Sequence, residues 1–245
     1  MNEPRQMETN LGLYQKLHFL HRCYRYRFRT ERHQIRRLRS LDLQGKTVFD
    51  VGGNHGIYAY WLGKAVGPAG AVHFFEPQPE LCLEVKQVLD WLGLNQVTVN
   101  GLALSDSRSR LRLNRGYVGD GSASFVARAN SSLPADSLMC ETTTVDDYCA
   151  SQQIDHVAFM KIDVEGHELS VVNGALQTLS RARPTVQIEL RVHEPTCDQV
   201  ISVFQDLGYA GFMFCDGREV ALADYKQVPS SRFGFVGHRD FLFEP

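Results

Sequence analysis

The stretch VFDVGGNHG, residues 48–56, decides how this chain is expected to fold. A short β-rich segment passes Asp50 and runs into a turn that opens a helix and contains Gly52, Gly53 and Gly56. Glycine suits such a turn because the backbone must bend tightly and let a ligand approach without a Cβ in the way. About twenty residues beyond the turn, Glu76 ends the next β-rich segment, where an acidic side chain can accept hydrogen bonds from both ribose hydroxyls of an adenosine-containing cofactor. Together these residues predict a nucleoside-binding crevice at the carboxyl ends of adjacent strands.

The order of residues in the turn bears on the kind of cofactor. A dinucleotide site would show G-x-G-x-x-G, because pyrophosphate needs exposed amides at the helix start. This loop instead runs G-G-N-H-G after an aspartate. An acidic residue beside the loop suits a cofactor that carries a sulfonium and an ammonium better than one that carries two phosphates. The loop therefore favours S-adenosylmethionine over NAD, with a purely structural tight turn as the alternative.

Strand and helix patterns alternate on either side of this loop. The β-rich runs are KTVFDV, AVHFFEP, VTVNGLAL, VAFMKIDV and TVQIELRV. Helices are predicted after the glycine loop to about Val66, after FFEP to about Leu92, and from about His167 to Leu179. Alternation of this kind predicts an α/β fold with a mostly parallel sheet covered on both faces. From residue 208 onward the runs GFMFC, DGREVAL, FGFVG and RDFLFEP predict antiparallel strands at the end of the sheet.

The length of 245 residues suits one α/β domain with an extension. We predict a basic helical extension over residues 1–41 and a main domain over residues 42–245. Within the main domain, residues 105–148 are rich in Ser, Gly and Asn and are expected to form an irregular insertion with a small hairpin that shapes the substrate pocket. Plausible lining residues in it are Gly119, Gly121, Ser122 and Ser124.

The extension is strongly basic although the whole chain has a net charge of −2. Up to residue 40 it holds ten Lys and Arg residues against three Asp and Glu residues. Its apolar residues recur at helical spacing, with arginines between them: Leu13, Leu17, Leu20, Tyr24, Phe28, Ile35 and Leu38. This asymmetry predicts contact with an anionic partner or a membrane surface, and the alternatives are a solvated helix paired with the acidic body of the protein or a homodimer interface. Nucleic acid is disfavoured, because the pI is about 6.5 and no aromatic strand pair of the RNP type is present.

Composition restricts the remaining classes. The six cysteines contain no C-x-x-C pair, so reduced thiols are expected rather than disulfides or a zinc site. The polar start MNEPRQMETN lacks the apolar core of a signal peptide, and no apolar run approaches the roughly 18 residues of a membrane span. A cytoplasmic protein is the resulting expectation.

Several motifs resemble those of the FkbM family of methyltransferases, both in their sequences and in their order along the chain. They are VFDVGGNHGIYAYWLG, HFFEPQPE, NGLALSDS, TTTVDDYC, FMKIDVEGHELSVVNGA, TVQIEL and LGY, and they cover roughly Leu41 to the C-terminus. The resemblance implies a Rossmann-like class I methyltransferase fold, S-adenosylmethionine as cofactor, and commonly O-methylation of sugars or secondary metabolites.

The resemblance also implies a set of cofactor-binding residues. The methionine end of the cofactor would be held by Asp50, Gly52 and Gly56, and Gly53, Asn54 and Asp163 are also predicted to bind the cofactor. Glu76 would hold the ribose, and the run Ala103, Leu104, Ser105 and Asp106 would flank the adenine. His55 is given no role.

The candidate catalytic residues follow two strands. Asp163, Glu165 and His167 come at and after the end of the strand in KIDVEGHE, and His193 follows TVQIEL. An alcohol acceptor needs a general base within hydrogen-bond reach, and Asp163, His167 and His193 are equal candidates for it. The alternative roles are cofactor positioning for Asp163, helix capping for Glu165, and cover of the sheet edge for His193.

A metal-assisted variant would use Asp163, Glu189 and His193. No compact ligand motif such as H-E-x-x-H supports it, so the site is predicted without a metal.

The predicted function is an S-adenosylmethionine-dependent O-methyltransferase that acts on a hydroxyl of a sugar, glycolipid or secondary metabolite. The alternatives are an RNA or protein methyltransferase and a non-catalytic cofactor-binding scaffold that docks on a membrane.

Overall fold

The computed structural model describes residues 11–126, 136–192, 194–215, 217–228 and 238–245. Its strands are β1 (Thr47–Val51), β2 (Ala71–Phe75), β3 (Val97–Asn100), β4 (Ala103–Leu104), β5 (Ser109–Arg115), β6 (Asp136–Thr143), β7 (Phe159–Ile162), β8 (Thr185–Arg191), β9 (Ala210–Cys215), β10 (Arg218–Ala221) and β11 (His238–Glu244). Its α-helices are α1 (Leu13–Arg25), α2 (Arg32–Ser40), α3 (Ile57–Val66), α4 (Pro79–Trp91), α5 (Val145–Gln152), α6 (Glu168–Asn173), α7 (Leu176–Arg181) and α8 (Pro195–Asp206). A π-helical turn, Tyr26–Thr30, joins α1 to α2, and a short 3₁₀ turn covers Tyr225–Gln227.

The central sheet is mostly parallel. Within the described residues its eight strands lie in the order β10-β9-β11-β8-β7-β1-β2-β3. The five neighbouring strands β3, β2, β1, β7 and β8 pair in parallel. Strand β11 lies antiparallel between β8 and β9, and β10 lies antiparallel to β9. The predicted α/β fold with antiparallel C-terminal strands is confirmed, and the run FGFVG at 233–237 lies outside the described residues.

Two hydrophobic layers cover the faces of the sheet. One layer packs α5 to α8 against it through residues such as Val171 and Phe204, and the other packs α1 to α4. Side chains of the N-terminal extension, among them Phe19 and Ile35, are buried in this second layer. The extension therefore shares a core with the main domain.

Two elements differ from the sequence prediction. The helix predicted from about His167 to Leu179 is divided into α6 and α7, because the chain turns at Gly174 and passes Ser105 so closely that a Cβ there would lie 2.0 Å from the Ser105 carbonyl oxygen. The run VTVNGLAL is divided into β3 and β4. The second part leaves the central sheet and pairs with β6, and with β5 it completes a three-stranded sheet in the insertion.

The described helices and thiols add two observations. No helix in the ranges given above combines the length and apolar character needed to cross a membrane. All six cysteines are free thiols in the structure.

Candidate active site

A cleft of about 250 Å³ opens at the carboxyl ends of β1, β2 and β7. The sequence-predicted residues that line it are Gly52, Asn54, Glu76, Ala103, Leu104, Asp163 and Glu165. A smaller adjoining space of about 90 Å³ reaches Asp50 and Gly53. The two spaces share five lining residues: Tyr26, Glu31, Gly52, Asn54 and Asp163. Most of the predicted site therefore surrounds one continuous cleft.

The glycine loop is required by the packing of the protein itself. Gly52 has a φ of +75°, and a Cβ on it would lie 1.9 Å from the carbonyl oxygen of Asp163. A Cβ on Gly53 would lie 2.1 Å from the ring of Phe74. Gly56 also has a φ of +75° and packs against Val85 rather than lining the cleft. The loop after β1 thus lies in backbone contact with the end of β7.

Glu76 is held at the cleft by two backbone hydrogen bonds. Its Oε2 accepts from the Asn54 amide at 3.1 Å and its Oε1 from the Gln78 amide at 3.0 Å. Burial raises the pKa of this carboxyl. Because each carboxylate oxygen can accept more than one hydrogen bond, both remain able to take a ribose hydroxyl.

Three buried acceptor atoms beside the cleft have no hydrogen-bond partner among the described residues: Asp50 Oδ2, Asn54 Oδ1 and Gln78 Oε1. Burial raises the pKa of Asp50 to about 7. Buried acceptors are normally satisfied, so this group calls for a ligand that donates hydrogen bonds. S-adenosylmethionine fits, because its ammonium, ribose hydroxyls and adenine amino group are donors and its cationic centre suits neighbouring carboxylates.

A buried lysine organises the opposite side of the cleft. Lys161 Nζ lies 3.2 Å from Asp240 Oδ1 and 3.5 Å from Asp163 Oδ2. The surrounding carboxylates raise the pKa of Lys161 well above its usual range, although burial acts against this. The pKa of Asp163 is also raised well above its usual range, first by burial and then by repulsion from Glu189 and Glu31, with Lys161 acting in the opposite direction. Such coupled groups titrate together rather than one by one.

The N-terminal extension contributes directly to this side. Glu31 lines the cleft and accepts a hydrogen bond from the Tyr58 hydroxyl. Gln187 Nε2 donates to Tyr58 at 2.8 Å and to Asp240 at 3.0 Å, and Gln34 Nε2 donates to Asp240 at 2.8 Å. Burial, followed by repulsion from Asp240, raises the pKa of Glu31 to about 7. A continuous polar network therefore joins the extension to β8 and β11.

Sequence reasoning missed Glu31, and also Tyr26, Tyr58 and Asp240. Glu31 follows the π-helical turn and has non-helical dihedral angles, φ −125° and ψ 44°, where the helix is interrupted before α2. Turns of this type are frequent at functional sites. In the sequence Glu31 is the only acidic residue between positions 11 and 40, but this alone does not place it inside the fold.

Several predicted residues do not line the cleft. His167 Nε2 lies 2.9 Å from Ser105 Oγ, the His167 ring packs 5.0 Å from that of Phe125, and burial lowers the His167 pKa. Ser105 is buried behind the cleft wall and Asp106 is exposed on a turn. His193 lies outside the described residues.

The insertion forms one wall of the cleft. Gly121 lines the cleft with Asp120, and its carbonyl accepts a hydrogen bond from Asn54 Nδ2 at 3.0 Å. Ser124 Oγ donates to the carbonyl of Glu165 at 2.6 Å. The insertion is thus tied to the cofactor loop and to the segment after β7.

Within the described ranges, no group of three or more His, Cys, Asp and Glu side chains is arranged to hold a metal ion. Of the three residues in the metal-assisted variant, Asp163 and Glu189 line the cleft and His193 is outside those ranges.

The fold is that of a Rossmann-like class I methyltransferase. Its features are a mostly parallel sheet with β11 antiparallel between β8 and β9, a glycine loop after β1 and an acidic residue after β2. Residues 50–210 match the model of the methyltransferase FkbM domain, so the chain belongs to the FkbM methyltransferase family. Its family and fold are those of S-adenosylmethionine-dependent methyltransferases, as the resemblance in sequence implied.

Solved structures with a similar fold include other methyltransferases. The methyltransferase FkbM from Methylobacillus flagellatus KT has a TM-score of 0.51 and 17% identity, over 82% of this chain and 43% of that one. The O-methyltransferase from Bacillus cereus, solved in complex with SAH, has a TM-score of 0.51 and 10% identity over 95% and 90% of the two chains. An rRNA methylase from Streptococcus thermophilus has a TM-score of 0.50 and 10% identity over 87% and 93%.

At these identities the likeness concerns the fold alone, and this chain spans less than half the length of the M. flagellatus protein. No curated protein sequence matches the chain.

Proposed function

We propose that this protein transfers a methyl group to a hydroxyl of a neutral, polyhydroxylated acceptor such as a sugar, glycolipid or secondary metabolite. The supporting observation is the charge of the cleft wall. Among the described residues that line the larger space none is Lys, Arg or His, whereas Arg22, His55 and Lys161 line the smaller adjoining space. The acidic ones are Glu31, Glu76, Asp120, Asp163, Glu165 and Glu189.

This composition favours a neutral donor-rich acceptor. Sugar hydroxyls donate hydrogen bonds to carboxylates, and the aromatic rings of Tyr26 and Phe125 in the wall offer apolar faces. A phosphorylated acceptor such as RNA would meet several like charges at short range. The acidic wall therefore supports a neutral hydroxylated acceptor over RNA. The likeness to an rRNA methylase concerns only the fold.

Asp163 is the residue best placed to accept the proton. The cofactor supplies a methyl group on a sulfonium, which the acceptor oxygen attacks in line. The raised pKa of Asp163 makes its carboxylate a stronger base than an exposed aspartate, and a base is most effective when its pKa lies nearer the working pH. Lys161 and the bonded network around Asp240 hold this side of the cleft in place, and such positioning is a large part of catalysis by methyl transfer.

The test is transfer from labelled S-adenosylmethionine to neutral sugars and glycolipids, with RNA and protein as comparison substrates. Four variants cover the candidate bases: Asp163→Asn, Glu165→Gln, His167→Gln and His193→Gln. We expect transfer to a hydroxylated acceptor, and a loss of about 100-fold or more in kcat for Asp163→Asn alone.

Calorimetry with S-adenosylhomocysteine controls for folding and cofactor binding, which we expect Asp163→Asn to retain. Transfer only to RNA or protein would contradict the proposed acceptor class. Full activity of Asp163→Asn would contradict the role of this residue.

A further inference from the structure

The N-terminal helical segment, residues 11–40, presents an apolar stripe to solvent. The stripe residues recur at intervals of four, seven and four, which places them on one helical face. They are Leu13, Leu17, Tyr24 and Phe28, with exposed fractions of 66%, 53%, 46% and 59%. The opposite face of the same segment is buried in the core through Phe19 and Cys23. Tyr24 also meets the ring of Trp61 edge-on at 5.7 Å, whereas the side chains of Leu13, Leu17 and Phe28 are each more than half exposed.

Arginines accompany this stripe. The segment holds nine Lys and Arg residues and one glutamate. Its exposed arginines are Arg25, Arg29, Arg32, Arg36 and Arg39. In the part of the chain that the structure describes, none of these five forms an ion pair with a carboxylate, whereas Arg37 pairs with Glu244. An ion pair with the main domain therefore neutralises Arg37 but none of the other five arginines.

We propose that the N-terminal helical segment docks on the surface of an anionic lipid bilayer. A helix lying in the interface buries an apolar face at the boundary of headgroups and acyl chains, and its basic residues contact anionic headgroups. Arginine suits this position, because its aliphatic stem packs on apolar surface while the guanidinium stays in water. A nucleic acid would use the arginines but leave the apolar stripe exposed, and a second copy of the chain would bring two strongly cationic segments together.

Docking would bring the lipid surface to the active site. Tyr26 and Glu31, which line the cleft, lie on either side of Phe28 in the same segment. Glu31 comes three positions after Phe28, or about 5 Å further along a helix axis. An acceptor hydroxyl at the membrane surface, as in a glycolipid, would then be next to the cleft. This last consequence rests on the proposed function, whereas the docking itself does not.

The experiment measures co-sedimentation of the full chain with vesicles of phosphatidylcholine alone or mixed with phosphatidylglycerol. The stripe variant is Leu17→Gln with Phe28→Gln, and the charge variant is Arg25→Gln with Arg29→Gln. The matched controls are Tyr117→Gln with Val118→Gln, which are exposed apolar residues of the insertion, and Arg112→Gln with Arg218→Gln, which are exposed arginines elsewhere.

We expect the wild type to bind the anionic vesicles at least about tenfold more tightly than the neutral ones. Both N-terminal variants should lose about tenfold or more of this binding, while both controls bind as the wild type does. Because none of the eight substituted residues lines the cleft, binding of S-adenosylhomocysteine should be unchanged and serves as the folding control.

Three outcomes would overturn the proposal. The first is the absence of wild-type binding, or equal binding to both kinds of vesicle. The second is a wild-type dimer that the stripe variant dissociates, which would assign the stripe to a second copy of the chain. The third is salt-sensitive binding to RNA that the charge variant weakens and the stripe variant leaves intact. Vesicle binding requires no methyl transfer, so failure of the proposed reaction would leave this result standing.

Discussion

The cleft has a side that we propose for the cofactor and a side that we propose for the acceptor, and the two are built in different ways. The cofactor side lies between Asp50 and Glu76, and backbone hydrogen bonds and close glycine contacts fix it. The acceptor side gathers charged and polar groups around Lys161 from the extension, β7, β8 and β11. Local sequence specifies the first side, whereas the second exists only after the whole chain has folded. Substitutions on the two sides should therefore fail differently.

Lys161→Met should give the largest loss of stability. It leaves several carboxylates facing one another in a buried place, and removal of one partner of a buried ion pair costs about 3–5 kcal/mol. The deficit should shrink at low pH, because protonation of those carboxylates removes their repulsion. Urea denaturation at several pH values measures it. Lys86→Met, which breaks an exposed pair with Asp90, is the control and should cost about 1 kcal/mol or less.

Gly52→Ala should lower the free energy of unfolding by about 3 kcal/mol. Alanine is strained at this φ, and its Cβ would overlap the Asp163 carbonyl. Gly45→Ala is a matched control, since Gly45 has a φ of +71° and a Cβ there would meet nothing within 4 Å. It should cost about 1 kcal/mol from the backbone conformation alone. Equal shifts of the two denaturation midpoints would mean that the contact between the loop and β7 is unimportant.

Glu76→Ala should weaken binding of S-adenosylhomocysteine by about 2 kcal/mol, or roughly thirtyfold, because it removes the charged acceptor for the ribose hydroxyls. Calorimetric titration measures the loss. Glu141→Ala, at an exposed site on β6, is the control and should bind normally. Unchanged affinity in the Glu76 variant would remove Glu76 from the cofactor site.

Glu31→Gln should have the smallest effect and reveal the coupling across the acceptor side. Glu31 raises the pKa of Asp163, so removal of the Glu31 charge should lower that pKa. Asp163 then remains ionised, and able to act as a base, at lower pH. The acidic limb of the pH–kcat profile should move to lower pH. Glu141→Gln is the control and should leave the profile in place. If the profile does not move for Glu31→Gln, the extension does not influence the proton transfer.

The extent to which sequence predicted the molecule follows the same division. Residues near one another in sequence and general rules for parallel sheets are enough to predict a mostly parallel sheet, the glycine loop, Glu76 and the position of Asp163 at a strand end. They do not give the order of the strands. Glu31 could not be placed. A single glutamate among arginines is indistinguishable from a surface residue until the π-helical turn and the packing of Ile35 direct it inward.

The errors also have physical causes. Gly174 was read as part of one helix because a glycine within a helical pattern gives no hint of which backbone passes beside it. His167 is predicted with Asp163 because the two are close in sequence, and in the structure it contacts Ser105 and Phe125 without itself lining the cleft. Its role as a base stays a prediction that the variants above examine.

Glu31 and Gln34 lie upstream of residue 50, where the matched family domain begins. The wall that faces the acceptor is therefore partly carried by a segment that the domain does not include. Replacing this upstream segment would therefore change the proposed acceptor wall and leave Asp50 and Glu76 in place.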